Sequence, residues 1–359
     1  MNKINIIYLL PEMKGASGGA KVIYSHSIKL NNFNKKIKSS ILHLKKNFLY
    51  KAEASLSKRF DLFSKKESGW NPNKMKISKN FKPNKTWFDH DIYVKKNFVL
   101  DKKTDFLIIP EIWSHFAVDL DLKKKGINYG IFIQGFYHMN STSNFAKLKL
   151  AYKNAKMILI SSSYNIKCFK EMFPEFSNKV LKMNLSIKSQ KFKIKKKKNT
   201  ITYMPRKLSN HANLLLFYLK NILPKNWKII SLDNVEEKYL IKSLSESKFF
   251  LSFSNLEGLG MPPIEAALSG NKVIGYTGGG GVEYWKKPIF LKVETGDISN
   301  FGLRLIKEIE EYKENWVKKT KNERIKLSRK YSEIVEKKTL IKLVNKITNI
   351  LYINSKKKV

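Results

Sequence analysis

The sequence predicts an α/β protein made of two successive doubly wound units. Three observations predict it: apolar runs of strand length, helical segments that alternate with these runs, and a length of 359 residues, about twice that of a usual domain. The runs are continuously apolar, as in strands of a parallel sheet that is covered on both faces. Strands that alternate with helices form parallel sheets. We therefore expect two such sheets, with ligands bound at their carboxyl ends in a cleft between the units.

The first predicted unit covers residues 1–185. It opens with a strand at 4–10, a glycine loop and a helix at about 19–30, and a second helix is predicted at 114–125. Its other predicted strands are at 37–44, 106–110, 129–134 and 157–161. Residues 50–98 have poor periodicity, which predicts insertions and irregular connections.

The second predicted unit covers residues 200–335 and follows a linker at 186–199 that contains four successive lysines at 195–198. Its strands are predicted at 201–204, 227–232, 249–253 and 272–276, and the chain reads as helical from about residue 300. Residues 336–359 form an amphipathic helix and a basic tail. We expect this helix to pack on the protein's own core and to cross back to the first unit.

Composition excludes several classes of protein. The single cysteine, Cys168, excludes a disulfide framework, and the apolar runs are far shorter than the ~20 residues of a membrane span. The formal net charge of +41 fits a Lys-, Asn- and Ile-rich compositional bias, an anionic membrane surface, or nucleic acid. The excess is mostly Lys spread along the chain, which disfavours nucleic acid. The lone thiol and the short first apolar run, cut by Pro11, predict a cytoplasmic protein.

The sharpest motif spans residues 252–270, where a predicted strand passes through a glycine turn into a helix. Glu257 and Glu265 are separated by seven residues, and Pro262 and Pro263 suit the first helical turn. We expect Glu257 in the loop at the carboxyl edge of the sheet and Glu265 in the first turns of the helix. Uncapped amides near this turn favour negative charge.

This motif resembles the donor-site signature of retaining GT-B glycosyltransferases, especially those of glycosyltransferase family 4. The resemblance implies a GT-B fold, with Glu257 against the donor sugar and Glu265 bonded to the nucleotide ribose. Leu259 stands where the family usually has an aromatic residue, and Met261 where it has leucine. The implied donor-binding loop consists of Gly258, Leu259, Gly260 and Met261.

Two neighbouring elements extend the resemblance. The strand at 201–204 is followed by Arg206 and Lys207, which resemble the cations that neutralise the donor diphosphate in this family. A glycine turn after the strand at 272–276 is similar to the family's second glycine loop, because glycine permits a close approach to ligand. Its implied donor-binding residues are Gly278, Gly279 and Gly280.

The first unit contributes weaker signals. A glycine loop precedes its first helix, as in the family, and the implied donor-binding residues there are Gly15, Gly18 and Gly19. Gln134 stands where many family members carry a histidine near the sugar, and His138 is a further candidate neighbour of the cleft. The resemblance implies no metal site and no cofactor, since the nucleotide-diphosphate sugar is a co-substrate.

Together these features predict a retaining transferase that moves a sugar from a nucleotide-diphosphate sugar to an acceptor hydroxyl in surface glycan or polysaccharide synthesis. Its implied catalytic residues are Glu257, Arg206 and Lys207. The expected partners are a nucleotide sugar, a glycan or lipid-linked acceptor, and an anionic membrane at its inner face. Two alternatives remain open: a GT-B nucleotide-sugar epimerase, and a basic polyanion- or nucleic-acid-binding protein on a degenerate transferase fold.

Overall fold

The chain forms two compact units, each built on one parallel sheet. The computed structural model describes residues 3–13, 17–33, 35–45, 76–85, 88, 90–141 and 144–356. Within them, unit 1 comprises the chain up to Ser161, Asn165–Met183 and the C-terminal segment from Lys337. Unit 2 comprises Ser162–Tyr164 and Asn184–Glu336. The predicted α/β class with two doubly wound units is confirmed.

Unit 1 contains a six-stranded sheet in the order β2-β1-β3-β4-β5-β6, with all neighbours parallel. Every residue of β3, β4 and β5 is buried, as their continuously apolar sequences require. The strands are β1 (Ile4–Pro11), β2 (Ile37–Leu44), β3 (Asp105–Pro110), β4 (Asn128–Ile133), β5 (Met157–Ile160) and β6 (Val180–Lys182). The helices are α1 (Gly18–Asn31), α2 (Phe116–Asp119), α3 (Phe145–Asn154) and α4 (Ser163–Met172).

Unit 2 contains a five-stranded parallel sheet in the order β11-β10-β9-β7-β8. Its core is rich in aromatic side chains, with Phe253, Tyr276 and Phe301 in mutual contact. The strands are β7 (Lys198–Tyr203), β8 (Lys228–Ser231), β9 (Ser247–Glu257), β10 (Lys272–Gly279) and β11 (Phe290–Lys292). The helices are α5 (Ser209–Leu219), α6 (Glu237–Glu246), α7 (Met261–Leu268), α8 (Ile298–Glu310), α9 (Trp316–Lys319) and α10 (Lys321–Lys330).

The last helix, α11 (Glu333–Lys356), is shared between the units, since its residues from Lys337 onward pack with unit 1. Four apolar side chains of that part are buried: Leu340, Leu343, Ile347 and Leu351. The expectation that this helix crosses back to the first unit and packs on the core is therefore confirmed. None of the helices in the described ranges has the length and apolar character that a membrane span needs.

Two predicted elements differ from the structure. The helix predicted at 114–125 is α-helical only over Phe116–Asp119, because Asp121 and Gly126 adopt left-handed backbone angles that end the helical path. The strand predicted at 249–253 is longer and reaches Glu257. The irregular region predicted at 50–98 lies partly outside the described residues, and its described part contributes isolated bridges rather than a strand.

Candidate functional site

The candidate donor site lies at the carboxyl edge of the unit 2 sheet. Strands β7, β9 and β10 are neighbours and run parallel, so the loops that follow them meet at the same edge. Lys207, in the loop after β7, places its Nζ 3.6 Å from Oε1 of Glu257 at the end of β9. Their side chains are 37% and 24% exposed, which leaves both open to a ligand. The structure thus brings together a cation and an acid that are 50 positions apart in sequence.

Glu257 is the last residue of strand β9 and does not lie in a loop, which corrects the sequence expectation. A β-bulge precedes it, because Ser254 pairs with Thr277 whereas Glu257 pairs with Gly279. Leu256 adopts a left-handed φ of 49°, which is uncommon for a residue other than glycine. A bulge shifts the alternation of side chains between the two faces of a sheet. Glu257 consequently lies beside Ser254, and a Cβ at Gly278 would meet both side chains.

The glycines after β10 are required by close packing against β9. A Cβ at Gly278 would lie 2.9 Å from Cβ of Ser254 and 3.0 Å from Cγ of Glu257, and its φ is 65°. A Cβ at Gly280 would lie 2.0 Å from the carbonyl oxygen of Gly258. Gly279 also has a positive φ, of 81°. These positions exclude side chains, so backbone groups form the surface beside Glu257.

Helix α7 begins beside these glycines with few amide donors of its own. Gly260 is its N-cap, with φ of 76°, and no side chain caps the helix start. Pro262 and Pro263 have no N–H, so the first-turn amides that remain are those at and just before Met261. The positive end of the helix dipole still points toward this edge. An anion at this position would therefore contact the backbone of the turn at 258–261.

Tyr284 fixes the start of α7 to the glycine turn. It is buried, and its hydroxyl donates a hydrogen bond of 2.6 Å to the carbonyl oxygen of Gly260. Burial, together with the nearby carboxylates of Glu257 and Glu283, holds the pKa of Tyr284 well above its usual range, so the hydroxyl remains a donor. Glu283 in turn accepts a hydrogen bond of 2.9 Å from the Tyr331 hydroxyl. Sequence reasoning assigned no role to Tyr284.

The other predicted residues of unit 2 occupy the same edge with different exposure. Arg206 is exposed in the loop after β7, next to Lys207. Glu265 is half-buried in the middle of α7. The side chain of Leu259 is buried, so this residue presents its backbone to the edge.

In unit 1, the predicted residues gather at the carboxyl edge of the other sheet. Gly18 and Gly19 form the first turn of α1, whose N-cap Ser17 accepts a weak hydrogen bond of 3.4 Å from the N–H of Ala20. Gln134, just after β4, donates through Nε2 to the carbonyl oxygen of Gly19 at 3.2 Å. The side chain of His138 is exposed, and its backbone N–H donates to the carbonyl oxygen of Gly135 at 3.0 Å. Gly15 lies outside the described residues.

A buried acid that sequence reasoning treated only as a weak candidate supports this edge. Glu111 follows β3, between the ends of β1 and β4, and its Oε1 accepts a hydrogen bond of 2.9 Å from the N–H of Gly135. Burial raises the pKa of Glu111 to about 7, against the opposing effect of backbone N–H groups that point at the carboxylate. The one signal in the sequence was its position directly after the strand that ends in Pro110.

In the part of the chain that the structure describes, no group of three or more His, Cys, Asp or Glu side chains is arranged to hold a metal ion. The charges at the unit 2 edge come instead from Arg206, Lys207 and Glu257.

Comparison with known proteins gives structural matches and no sequence matches. Neither a family model nor a curated protein matches the sequence. A glycosyltransferase from Rickettsia africae superposes with a TM-score of 0.62 at 14% identity, covering 98% of this chain and 99% of that one. The pneumococcal O-GlcNAc transferase GtfA, in complex with UDP and GlcNAc, gives 0.60 at 11% identity, covering 98% and 100%. The chain has the GT-B fold.

A third match supports the same assignment. The lipopolysaccharide outer core galactosyltransferase WaaB has a TM-score of 0.59 at 14% identity, covering 96% of this chain and 99% of that chain. At such identities the likeness shows the GT-B fold alone. The two parallel sheets of this GT-B chain agree with the Rossmann-like units that the sequence resemblance implied.

Proposed function

We propose that this protein is a retaining glycosyltransferase that moves a sugar from a nucleotide-diphosphate sugar to an acceptor hydroxyl. The observation that carries the proposal is the approach of Lys207 to Glu257, 3.6 Å apart beside the glycine turn at 278–280. The structural neighbours add support, since the structure of GtfA contains UDP and GlcNAc. The first unit would bind the acceptor and the second the donor.

The reaction requires stabilisation of a departing diphosphate. The bond between the anomeric carbon and the β-phosphate oxygen breaks, the acceptor oxygen bonds to that carbon, and the acceptor proton passes to the departing phosphate. Negative charge grows on the leaving oxygens, so fixed donors there act mainly in the transition state. Arg206, Lys207 and the turn before α7 would supply these donors.

Glu257 would face the donor sugar and stabilise the positive charge that grows on its anomeric carbon. An ion pair as exposed as Lys207–Glu257 contributes only about 0–1 kcal/mol to folding. Such a small free energy lets Lys207 move from the carboxylate to an incoming diphosphate. Glu265 would bond the ribose, and the backbone of residues 258–261 and 278–280 would contact the donor.

In unit 1, the resemblance assigns binding roles to Gly15, Gly18, Gly19, Gln134 and His138. We further propose a role in surface glycan or polysaccharide synthesis, in the cytoplasm at the inner membrane face. A lipid-linked acceptor is presented at such a surface, and the net charge of +41 suits anionic lipid.

Two substitutions test the chemistry once a thermal-shift screen of nucleotide diphosphates and their sugars has found the donor. Glu257→Gln and Arg206→Ala should each lower turnover about a hundredfold or more, because each removes a charge that acts in the transition state. Glu310→Gln and Arg329→Ala make the same changes at exposed positions on α8 and α10 and should leave turnover unchanged.

NMR of the product anomer checks retention of configuration. Wild-type turnover in both site variants would refute the site, and inversion of the donor sugar without acceptor would instead identify an epimerase.

A further inference from the structure

A second cationic site lies at the opposite edge of unit 2, at the amino ends of its strands. A cavity of about 590 Å³ opens there, and we call it the lysine pocket. Its walls include Ile194, Ile325, Lys318, Lys321, Arg324 and Glu314. Gly270, just before β10, lies next to the wall of this cavity, because a Cβ at Gly270 would lie 3.2 Å from Cγ2 of Ile194. A cavity of this size matches the usual range of ligand sites.

The lysine pocket has an excess of positive charge. Lys318 and Lys321 are exposed, and neither forms an ion pair with another residue in the described part of the chain. Arg324 is buried, and its guanidinium donates to the hydroxyl of Thr320 and the carbonyl oxygen of Val317, both uncharged acceptors. Glu314 is bonded to Lys248 Nζ at 2.6 Å. The pocket therefore favours an anion.

Lys197 lies close to Ile194 of the pocket wall, because a Cβ at Gly270 would meet Cε of Lys197 at 3.1 Å and Cγ2 of Ile194 at 3.2 Å. Its Nζ donates to the carbonyl oxygens of Ser269 at 2.5 Å and Leu244 at 3.3 Å, and no carboxylate is among these partners. Burial and the charge of Arg324 lower the pKa of Lys197 to about 7. An anion in the pocket would offset the repulsion between these two cations.

The same pocket exposes aliphatic side chains among its lysines. Ile194 is 39% exposed and Ile325 is 37% exposed. Lys195 and Lys196, which follow Ile194, are exposed as well. Aliphatic side chains next to lysines are typical of surfaces that contact the interface of an anionic bilayer. Two lysines of the run predicted to be a linker are thus exposed beside a wall residue of the pocket.

The choice of apolar residue separates lipid from nucleic acid. Proteins that bind single-stranded nucleic acid stack bases on aromatic side chains. No aromatic residue is among the described residues that line the lysine pocket. Isoleucine cannot stack on a base, but it can enter the acyl region of a bilayer.

We propose that the lysine pocket binds the phosphate headgroup of an anionic phospholipid, with Ile194 and Ile325 entering the bilayer beside it. This inference deepens the membrane part of the proposed function and rests on it, but it does not depend on the transfer chemistry. It places the membrane contact at the edge of unit 2 opposite to the proposed donor site.

Sedimentation of the full chain with vesicles tests this, comparing phosphatidylcholine alone with a mixture that contains phosphatidylglycerol. Wild type should bind the anionic vesicles preferentially. The double variant Lys318→Gln/Lys321→Gln should bind them about 25-fold more weakly, since each cation near an anionic surface contributes about fivefold. Its matched control, Lys123→Gln/Lys125→Gln, removes two exposed lysines of unit 1 and should bind like wild type.

A second variant, Ile194→Ser/Ile325→Ser, separates insertion from charge. It should weaken vesicle binding about tenfold and leave the binding of a single-stranded oligonucleotide unchanged. Three results would each overturn the proposal. They are an equal loss of vesicle binding in both lysine variants, no preference of wild type for anionic vesicles, and wild-type vesicle binding by the isoleucine variant. If Lys318→Gln/Lys321→Gln weakens oligonucleotide binding and leaves vesicle binding unchanged, the ligand of the pocket is nucleic acid instead. Nucleotide binding, followed by thermal shift, reports separately on the proposed function.

Discussion

The hydroxyl of Tyr284 offers a single-atom test of how the proposed donor site is held in place. Tyr284→Phe removes the donor of the 2.6 Å hydrogen bond to Gly260 and leaves that carbonyl oxygen buried without its partner. An unsatisfied buried group of this kind costs about 1–3 kcal/mol. Because Gly260 caps α7, the cost should appear in nucleotide affinity as well as in folding. We expect binding of the nucleotide diphosphate to weaken by about fivefold to a hundredfold.

The assay is a thermal-shift and calorimetric titration of wild type and variant with the nucleotide that binds most tightly. The melting temperature should fall by about 2–4 °C for each kcal/mol lost. Tyr312→Phe is the matched control, since its buried hydroxyl has no hydrogen-bond partner in the described part of the chain. If Tyr284→Phe lowers the melting temperature but keeps wild-type nucleotide affinity, Tyr284 does not position the donor site.

Three further substitutions follow from the same structure. Gly278→Ala should abolish transfer with the fold retained in circular dichroism, because its Cβ would press on Ser254 and Glu257 at about 3 Å; full activity would contradict this packing. Lys207→Gln should change the unfolding free energy, measured by urea melts, by less than about 1 kcal/mol. It should slow transfer, measured by kinetics, at least tenfold. A loss of stability as large as the loss of activity would show that the residue is structural. Glu111 keeps its proton in the folded state up to a pKa of about 7, so its contribution to stability is full below about pH 4.5 and falls by about 3 kcal/mol as pH rises to 7. Glu111→Gln should remove that fall in urea melts across this range, and a parallel pH profile would refute the assignment.

Sequence reasoning predicted the fold well because buried parallel strands and their helices leave local signals. The strands of unit 1 read as continuous apolar runs, and the turn into α7 is encoded by Gly260, Pro262 and Pro263 within a few positions. These features depend on neighbouring residues along the chain. They can therefore be read without knowing the order of strands in the sheet.

The contacts that assemble the candidate site depend on strand order and could not be read in this way. Lys207 meets Glu257 because β7 lies next to β9, and no local pattern encodes that pairing. The bulge at Leu256 was missed because a leucine gives no hint of a left-handed backbone. Likewise, Tyr284 reads as a core aromatic until its hydroxyl is seen at Gly260.

The division of α11 between the units affects how the two halves can be exchanged with those of other proteins. Truncation after residue 183 would remove Leu340, Leu343, Ile347 and Leu351, whose side chains are buried in the part of α11 that packs with unit 1. The amino-terminal half expressed in this form would leave the apolar groups that face them exposed to water, and it should aggregate. A chimera that keeps this half and replaces the other needs two junctions, one near residue 184 and one near 336, so that the final segment travels with its own sheet.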